Sequence, residues 1–291
     1  MRRFFYAIDH DSIDAPPLPK LSVCPIGGDI DLPDSIVHHW CRVLRANVGD
    51  QGILFDGFGG EYQVELQTIS KKKATATLLS HLDDDRSSPI ISKIGLVMSR
   101  GERMDYAVQK ATELGVTAIQ LLSSHHGEVN LKPAQTEKKL THWQQIAIAA
   151  CEQCGLNRPP LILAPLSITA WLNQSESDSL NLKTKVSPIV STLSQDTYYD
   201  VLKTAADLRM QMSVPAAGQP ARPEALTTII KQKSPYIELL IGPEGGLSDE
   251  EYQQAEQVNF LPWQIGSRVL RTETAPVVAL ATLLALHHSS K

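Results

Sequence analysis

Hydrophobic and polar positions follow two different rhythms along the 291 residues. Up to about residue 80 the period is two. Tyr62, Val64 and Leu66 alternate with polar neighbours, as a half-buried strand does. Ile53 to Phe55 reads as another strand and runs into the turn Asp56-Gly57, Gly59-Gly60. Lys71 to Lys73 is a turn, with a further strand at Ala74 to Leu79. Short strands joined by tight turns predict a small β-barrel.

Beyond Asp83–Pro89, a polar stretch that reads as a linker, the period lengthens. Domains 1–82 and 83–291 are expected. Ile94 to Met98 is a strand. Met104, Ala107, Val108, Ala111 and Leu114 share one helix face, which Gly115 ends. Ala118 to Leu122 is the next strand. Trp143, Ile146, Ala147, Ala150, Cys151 and Cys154 form a second helical stripe, stopped by Gly155 and Pro159. Leu161 to Leu163, Pro188 to Leu193 and Tyr236 to Ile241 read as strands. Such alternation predicts an α/β fold with a mostly parallel sheet and flanking helices. Ligands of such sheets bind beyond the C-terminal ends of the strands. Asn173–Lys185 and Ser213–Pro223 read as insertions, surface loops or partly disordered, with no assigned chemistry.

Composition narrows the classes. Hydrophobic residues are 42% and charged residues 20%, ordinary for a globular protein. The formal net charge of −5 gives no bulk attraction to nucleic acid, so any RNA contact must come from local basic clusters. Arg2 and Arg3, beside Phe4-Phe5-Tyr6, are such candidates; Lys71 to Lys73 reads equally well as a solvated turn. Four cysteines make no disulfide framework. Cys151 and Cys154 sit at helical spacing within an apolar face, which predicts core rather than redox or zinc chemistry. The histidine pairs at 38–39, 125–126 and 287–288 lack ligand spacing, and no metal is expected. The first residues lack the apolar core of a secretory signal, and the apolar stretch Ala275–Leu286 is too short to span a bilayer. A cytoplasmic location is expected.

The densest chemistry lies between Glu238 and Pro276. The apolar run ending at Leu240-Ile241 empties into Gly242-Pro243-Glu244-Gly245-Gly246, where the backbone can turn sharply and approach a ligand closely. Ser248 and Glu251 form a capping-box pattern. A second turn, Ile265-Gly266, leads into Arg268-Val269-Leu270-Arg271. The two turns read either as ordinary strand-to-helix loops or as two walls of one pocket. No lysine ends the glycine loop, which excludes a P-loop, and the dinucleotide spacing of glycines is absent. Glu244 disfavours a bound phosphate and favours a cationic ligand with an adenine-like ring.

IGPEGGLSDEE followed by IGSRVLRTETAP resembles the signature of the ribosomal RNA small subunit methyltransferase E family, of the SPOUT class. MRRFFY, HHWCRVLRANVGD at 38–50, RGERMDYAVQKATELGV at 100–116 and EQCG at 152–155 extend the resemblance over nearly the whole chain. Leu156-Asn157 after EQCG and the run Ser124-His125-His126-Gly127 depart from the family pattern. The resemblance implies a PUA-like RNA-binding barrel and a methyltransferase domain with a C-terminal trefoil knot. It also implies S-adenosylmethionine as cofactor, a uridine of 16S rRNA in the 30S subunit as substrate, methylated at N3, and a homodimer. Leu240, Ile241, Gly242, Pro243, Gly245, Gly246, Ile265, Gly266, Val269 and Leu270 would hold the cofactor. Arg271 and Glu244 are the catalytic candidates, with a structural ion pair between the loops as the other reading. Arg2, Arg3, Arg100, Arg103 and Arg268 are the RNA candidates; Glu102-Arg103 also reads as a plain helix-start charge pattern. The rival function is a non-catalytic RNA-binding protein on the same scaffold.

Overall fold

Five short strands form the first sheet: β1 (Arg2–Phe5), β2 (Asp29–Asp31), β3 (Gln51–Phe55), β4 (Glu61–Ile69) and β5 (Ala74–Leu82). Their order is β1-β3-β4-β5-β2, with β1 parallel to β3 and the other pairs antiparallel. The ladder has β1 and β2 as its edges, and both feed one core. Phe4, Ile30, Leu54, Val64 and Leu78 meet there under Trp40, whose ring stacks on Phe4 with centroids 4.9 Å apart. Trp40 comes from a helical stretch that begins as α1 (Asp34–Ile36) and widens into π-helical turns over Val37–Val43.

The computed structural model describes residues 1–8, 18–174, 185–213 and 221–290. Most of both expected insertions, residues 175–184 and 214–220, lies outside them. The chain divides into two compact units. The first contains Met1–Ser87 together with Ile148–Pro159 and Pro188–Leu193. Within it the Phe5 N–H donates to Glu152 Oε1 at 2.9 Å, and Cys151 is buried against Phe5 and Phe55. Cys154 is exposed, so the C-x-x-C pair is split between core and surface.

The second unit holds a six-stranded, all-parallel sheet: β6 (Ile91–Val97), β7 (Ala118–Ser123), β8 (Leu161–Ser167), β9 (Leu208–Met212), β10 (Tyr236–Ile241) and β11 (Phe260–Trp263). Their order is β11-β9-β10-β6-β7-β8. Among the described residues its α-helices are α2 (Glu102–Glu113), α3 (Pro133–Cys154), α4 (Ile168–Leu172), α5 (Glu224–Ile229), α6 (Asp249–Gln257) and α7 (Ala275–Ser289), the last turns of α3 falling in the first unit. One face of the sheet, through Ile94, Leu96, Ile119 and Leu239, packs on Met104, Val108, Trp143, Leu280 and Leu283. The other, through Val97, Leu122 and Leu240, packs on Trp171 and Ala255. This is the expected α/β fold, a parallel sheet with helices on both faces.

The expected strand at Pro188–Leu193 is not one. Pro188–Val190 and Leu193–Gln195 are single 3-10 turns. Pro188 has no N–H to give a ladder, and its carbonyl accepts from Ser191 instead. The sheet is completed by β9 and β11; β9, LRMQM, alternates apolar and polar residues over only five positions, and β11, FLPW, is four residues with a proline.

Candidate active site

All six residues of β10 are buried, and the strand delivers its chain to the C-terminal edge of the sheet at Ile241. There the glycine loop turns. The Gly246 N–H donates to the Pro243 carbonyl at 2.9 Å, and Gly246 has φ +74°, the left-handed conformation that favours glycine. A side chain at Gly242 would meet Leu247 at 3.2 Å. The loop ends in a complete capping box. Ser248 Oγ accepts from the Glu251 N–H at 3.2 Å, and Glu251 Oε2 accepts from the Ser248 N–H at 2.9 Å. The other Glu251 oxygen accepts from the His125 N–H at 2.9 Å, anchoring the loop after β7.

The second loop follows β11. Its turn has Gly266 at φ +76°. Thr272, buried, donates from Oγ1 to the Gly242 carbonyl at 3.2 Å and so ties the second loop to the first. Between them lies a cavity of about 380 Å³. Of the residues named from the sequence, Ile241, Gly242, Pro243, Glu244, Gly246, Ile265, Arg268, Val269 and Leu270 line it. Leu240 is buried beneath the loop, Gly245 is exposed beside His126, and Gly266 is an exposed turn; these three shape the loops without lining the cavity. Met212, Ser213, Leu247, Tyr252, Thr272 and Ala275 also line it and were not named from the sequence. Met212 and Ser213 could be found only by recognising β9. Tyr252 lies one turn inside a helix whose start was legible, so its place was within reach.

Charge is arranged around the mouth. The Arg103 guanidinium donates to the Glu244 carboxylate. Glu128 lies 3.6 Å from Arg103 and 3.5 Å from Arg100, and its carbonyl accepts from Arg100 at 3.3 Å. Glu244 thus pairs with the start of α2 and not with the second loop. Arg268 lines the cavity, whereas Arg271 is exposed and outside it; among the described residues neither forms an ion pair. Glu273, between Thr272 and Thr274, has one buried carboxylate oxygen with no partner among the described residues. His126 Nδ1 lies 3.2 Å from the Gly246 carbonyl. Asp105 accepts from Trp143 Nε1 at 3.0 Å and lies 3.1 Å from His142, tying α2 to α3.

The two N-terminal arginines separate. Arg2 is exposed, while Arg3 has a side chain only 9% exposed and donates to Glu61 and Asn157. Arg86 reaches the same Glu61 at 2.9 Å. Arg3 therefore acts inside the first unit as one of two arginine partners of a buried carboxylate.

The cavity volume falls within the usual range for small-molecule sites, roughly 300–1,000 Å³. Ile241, Ile265 and Leu270 supply apolar walls, turning backbone supplies polar edges, and Glu244 places a carboxylate for a cation. That donor set suits a ligand combining an aromatic ring with a positive charge.

Residues 86–284 match the model of an RNA methyltransferase domain, and residues 32–79 that of an RNA methyltransferase PUA domain. Ribosomal RNA small subunit methyltransferase E of Synechocystis is 30% identical over 93% of this chain and 78% of its own. That of Buchnera aphidicola from Acyrthosiphon pisum is 29% identical over 87% and 86%. The crystal structure of the Neisseria gonorrhoeae protein of that name, bound to S-adenosyl methionine, superposes with a TM-score of 0.74 at 30% identity, covering 98% of each chain. A chain with this loop signature, this parallel sheet and these relatives belongs to the ribosomal RNA small subunit methyltransferase E family.

Proposed function

We propose that the protein transfers a methyl group from S-adenosylmethionine to N3 of a uridine in 16S rRNA of the small ribosomal subunit. The observation that carries this reading is the cavity between the two loops, tied together by Thr272 and Gly242. When bound there, S-adenosylmethionine supplies an electrophilic methyl on a positively charged sulfur. The backbone of 241–246 and 265–270 would hold it, and the Glu244 carboxylate faces the same space. Closely turned loops also exclude water from the reacting centre.

A uracil N3 carries a proton at neutral pH, so its lone pair becomes nucleophilic only as that proton leaves. Glu244 accepts the proton or orients the base. Arg271, which forms no ion pair among the described residues and lies outside the cofactor cavity, meets the negative charge that spreads to the uracil oxygens, or the adjoining phosphate. Arg2, Arg100, Arg103 and Arg268 supply further cations for RNA. In this reading residues 1–82 bind RNA and 83–291 carry the chemistry.

The working form is a homodimer in the cytoplasm. Two features support pairing. Val269, at the cavity rim, is 69% exposed although apolar. On α7, Leu280 and Leu283 are buried while Val277, Val278, Leu284 and Leu286 stay partly exposed. Among the described residues, no helix is long and apolar enough to cross a membrane.

Incubation of the protein with methyl-labelled cofactor and 30S subunits lacking the modification tests the activity. Label in 16S rRNA is expected. Cofactor binding without label in any RNA would favour a non-catalytic RNA-binding protein.

A further inference from the structure

Toward the N-terminal ends of its strands, away from the two loops, the parallel sheet carries a second polar cavity. It is lined by Lys93 of β6, Arg209 of β9 and Glu238 of β10, with Lys203 and Thr204 from the segment before β9. Lys93 Nζ donates to Glu238 Oε1 at 3.2 Å, Tyr236 donates to the same oxygen at 2.9 Å, and Arg209 Nε donates to Oε2 at 2.9 Å. Lys93 and Glu238 have side chains only 8% and 7% exposed. Two cations therefore converge on one buried carboxylate, Lys93 from the interior and Arg209, 36% exposed, from the open side. Lys203 adds a third to the wall; its own partner is Asp200. Nearby Asp207 is occupied by the Tyr236 N–H at 2.8 Å and does not line the cavity. The rings of Trp171 and Phe260 lie 5.8 and 5.7 Å from the two inner cations and orient them without supplying a formal charge.

Two cations on one carboxylate leave one positive charge in excess at the open side of this cavity, where an anion would complete it. The size of the space sets the class of that anion. The cavity is about 70 Å³, too small for a nucleoside and roughly twice the ~30 Å³ share of one water. A single tetrahedral oxyanion suits it, with guanidinium and ammonium groups as donors; the Thr204 hydroxyl on the wall already donates to the Val201 carbonyl at 2.8 Å. We infer that Lys93, Arg209 and Lys203 form a phosphate site on the sheet edge opposite the methyl-transfer cavity. The phosphate comes either from solution as the free ion or from an RNA backbone, and both present the same oxygens.

Thermal melts of the full-length protein test this, with sodium phosphate titrated against sodium chloride at constant ionic strength. A saturable rise in Tm with phosphate alone is expected. Lys93→Met could unfold the sheet, so Lys203→Met is the primary variant. It should weaken the phosphate response at least fivefold and leave the melt in chloride near wild type; Arg209→Gln should weaken it further. The source is read separately, from the salt dependence of binding to 16S rRNA fragments. If the RNA backbone supplies the phosphate, Lys203→Met lowers the slope of log K against log salt by about one. If the free ion is the ligand, that slope is unchanged while the Tm response still weakens. The proposal is overturned if phosphate raises Tm no more than chloride does, or if the phosphate response is the same in wild type, Lys203→Met and Arg209→Gln. Neither result bears on methyl transfer.

Discussion

Arg103 at the start of α2 donates to the carboxylate of Glu244 in the glycine loop, while Glu128 holds Arg103 from the other side at 3.6 Å. One arginine thus fixes the position of the one carboxylate that lines the cavity among the described residues. Both side chains are partly exposed, so the pair itself contributes little to stability. Its use is positional. Arg103→Ala should leave the melting temperature within a few degrees of wild type and lower methyl transfer at saturating substrate by about tenfold, the scale of a displaced catalytic group. Arg103→Lys should recover part of the rate, since a point charge still attracts Glu244. Steady-state rates on 30S subunits with both variants check this; an unchanged rate in Arg103→Ala would remove the positioning role.

In the proposed function Arg271 separates binding from chemistry. It is exposed and does not line the cavity, so the cofactor contacts can form without it. Arg271→Ala should leave the calorimetric Kd for S-adenosylmethionine nearly unchanged and cut single-turnover methylation by roughly a hundredfold, the scale of one lost electrostatic stabiliser. Arg271→Lys should rescue little, because the planar fork is lost. Loss of cofactor binding in a folded Arg271→Ala protein would instead assign this residue to the cofactor pocket.

Thr272 joins the two walls through a single hydrogen bond to the Gly242 carbonyl. Thr272→Val keeps the shape and removes the donor, at a net cost of about 1 kcal/mol. A rise in cofactor Kd of about fivefold is expected, with Thr272→Ser near wild type. Equal Kd values for all three proteins would show that the loops hold each other by packing alone.

Much of this site was legible in the sequence. The glycines at 242 and 246, the box formed by Ser248 and Glu251, and the charged start of α2 are local chemistry with short spacing. What sequence could not convey is long-range. Nothing near Arg3 announces Glu61 or Asn157 as its partners, so it reads as a surface arginine until the first unit is assembled. The last turns of α3 carry an ordinary helical stripe, and only the fold shows that Cys151 joins Phe5 and Phe55. β11 hides behind Pro262, tolerated because the strand is an edge. β9 was within reach, since Leu208, Met210 and Met212 alternate with Arg209 and Gln211 at the period of a strand, but five residues make a short signal, and a strand paired on both sides in a parallel sheet more often reads as a continuous apolar run. Ile189 and Val190 suggest a strand by composition, yet Pro188 and its turn override them.

Gln211 shows what that arrangement costs. Its side chain is 1% exposed, and neither its amide nitrogen nor its oxygen has a partner among the described residues. A buried amide left unpaired costs about 1–3 kcal/mol. Gln211→Met, similar in volume, should therefore raise the urea midpoint without changing the slope of unfolding. A lower midpoint would mean that the amide is satisfied in solution, for example by a buried water.

Glu152 gives the first unit a pH dependence. Burial raises its carboxyl pKa above the ordinary value, and the Phe5 N–H and the nearby Arg3 charge only partly offset this. The folded state thus holds the proton more tightly than the unfolded chain. Its contribution is most favourable below the unfolded pKa and is lost as pH rises through the folded one. Glu152→Gln keeps an oxygen for Phe5 and removes the titration. The variant should be the more stable protein at neutral pH, and its advantage should shrink as pH falls through the raised folded pKa and be gone below the ordinary glutamate value of about 4. Denaturation curves at several pH values check this; an advantage independent of pH would assign the effect to packing.

The central claim is methyl transfer to one nitrogen of one base. The most direct measurement is mass spectrometry of nucleosides digested from 16S rRNA, after unmodified 30S subunits react with the protein and S-adenosylmethionine. The account predicts that 3-methyluridine appears, that it approaches one residue per subunit, and that Arg271→Ala yields roughly a hundredfold less at early times. Methylation of another base, or at ribose, or no modified nucleoside from a protein that binds the cofactor, would contradict it.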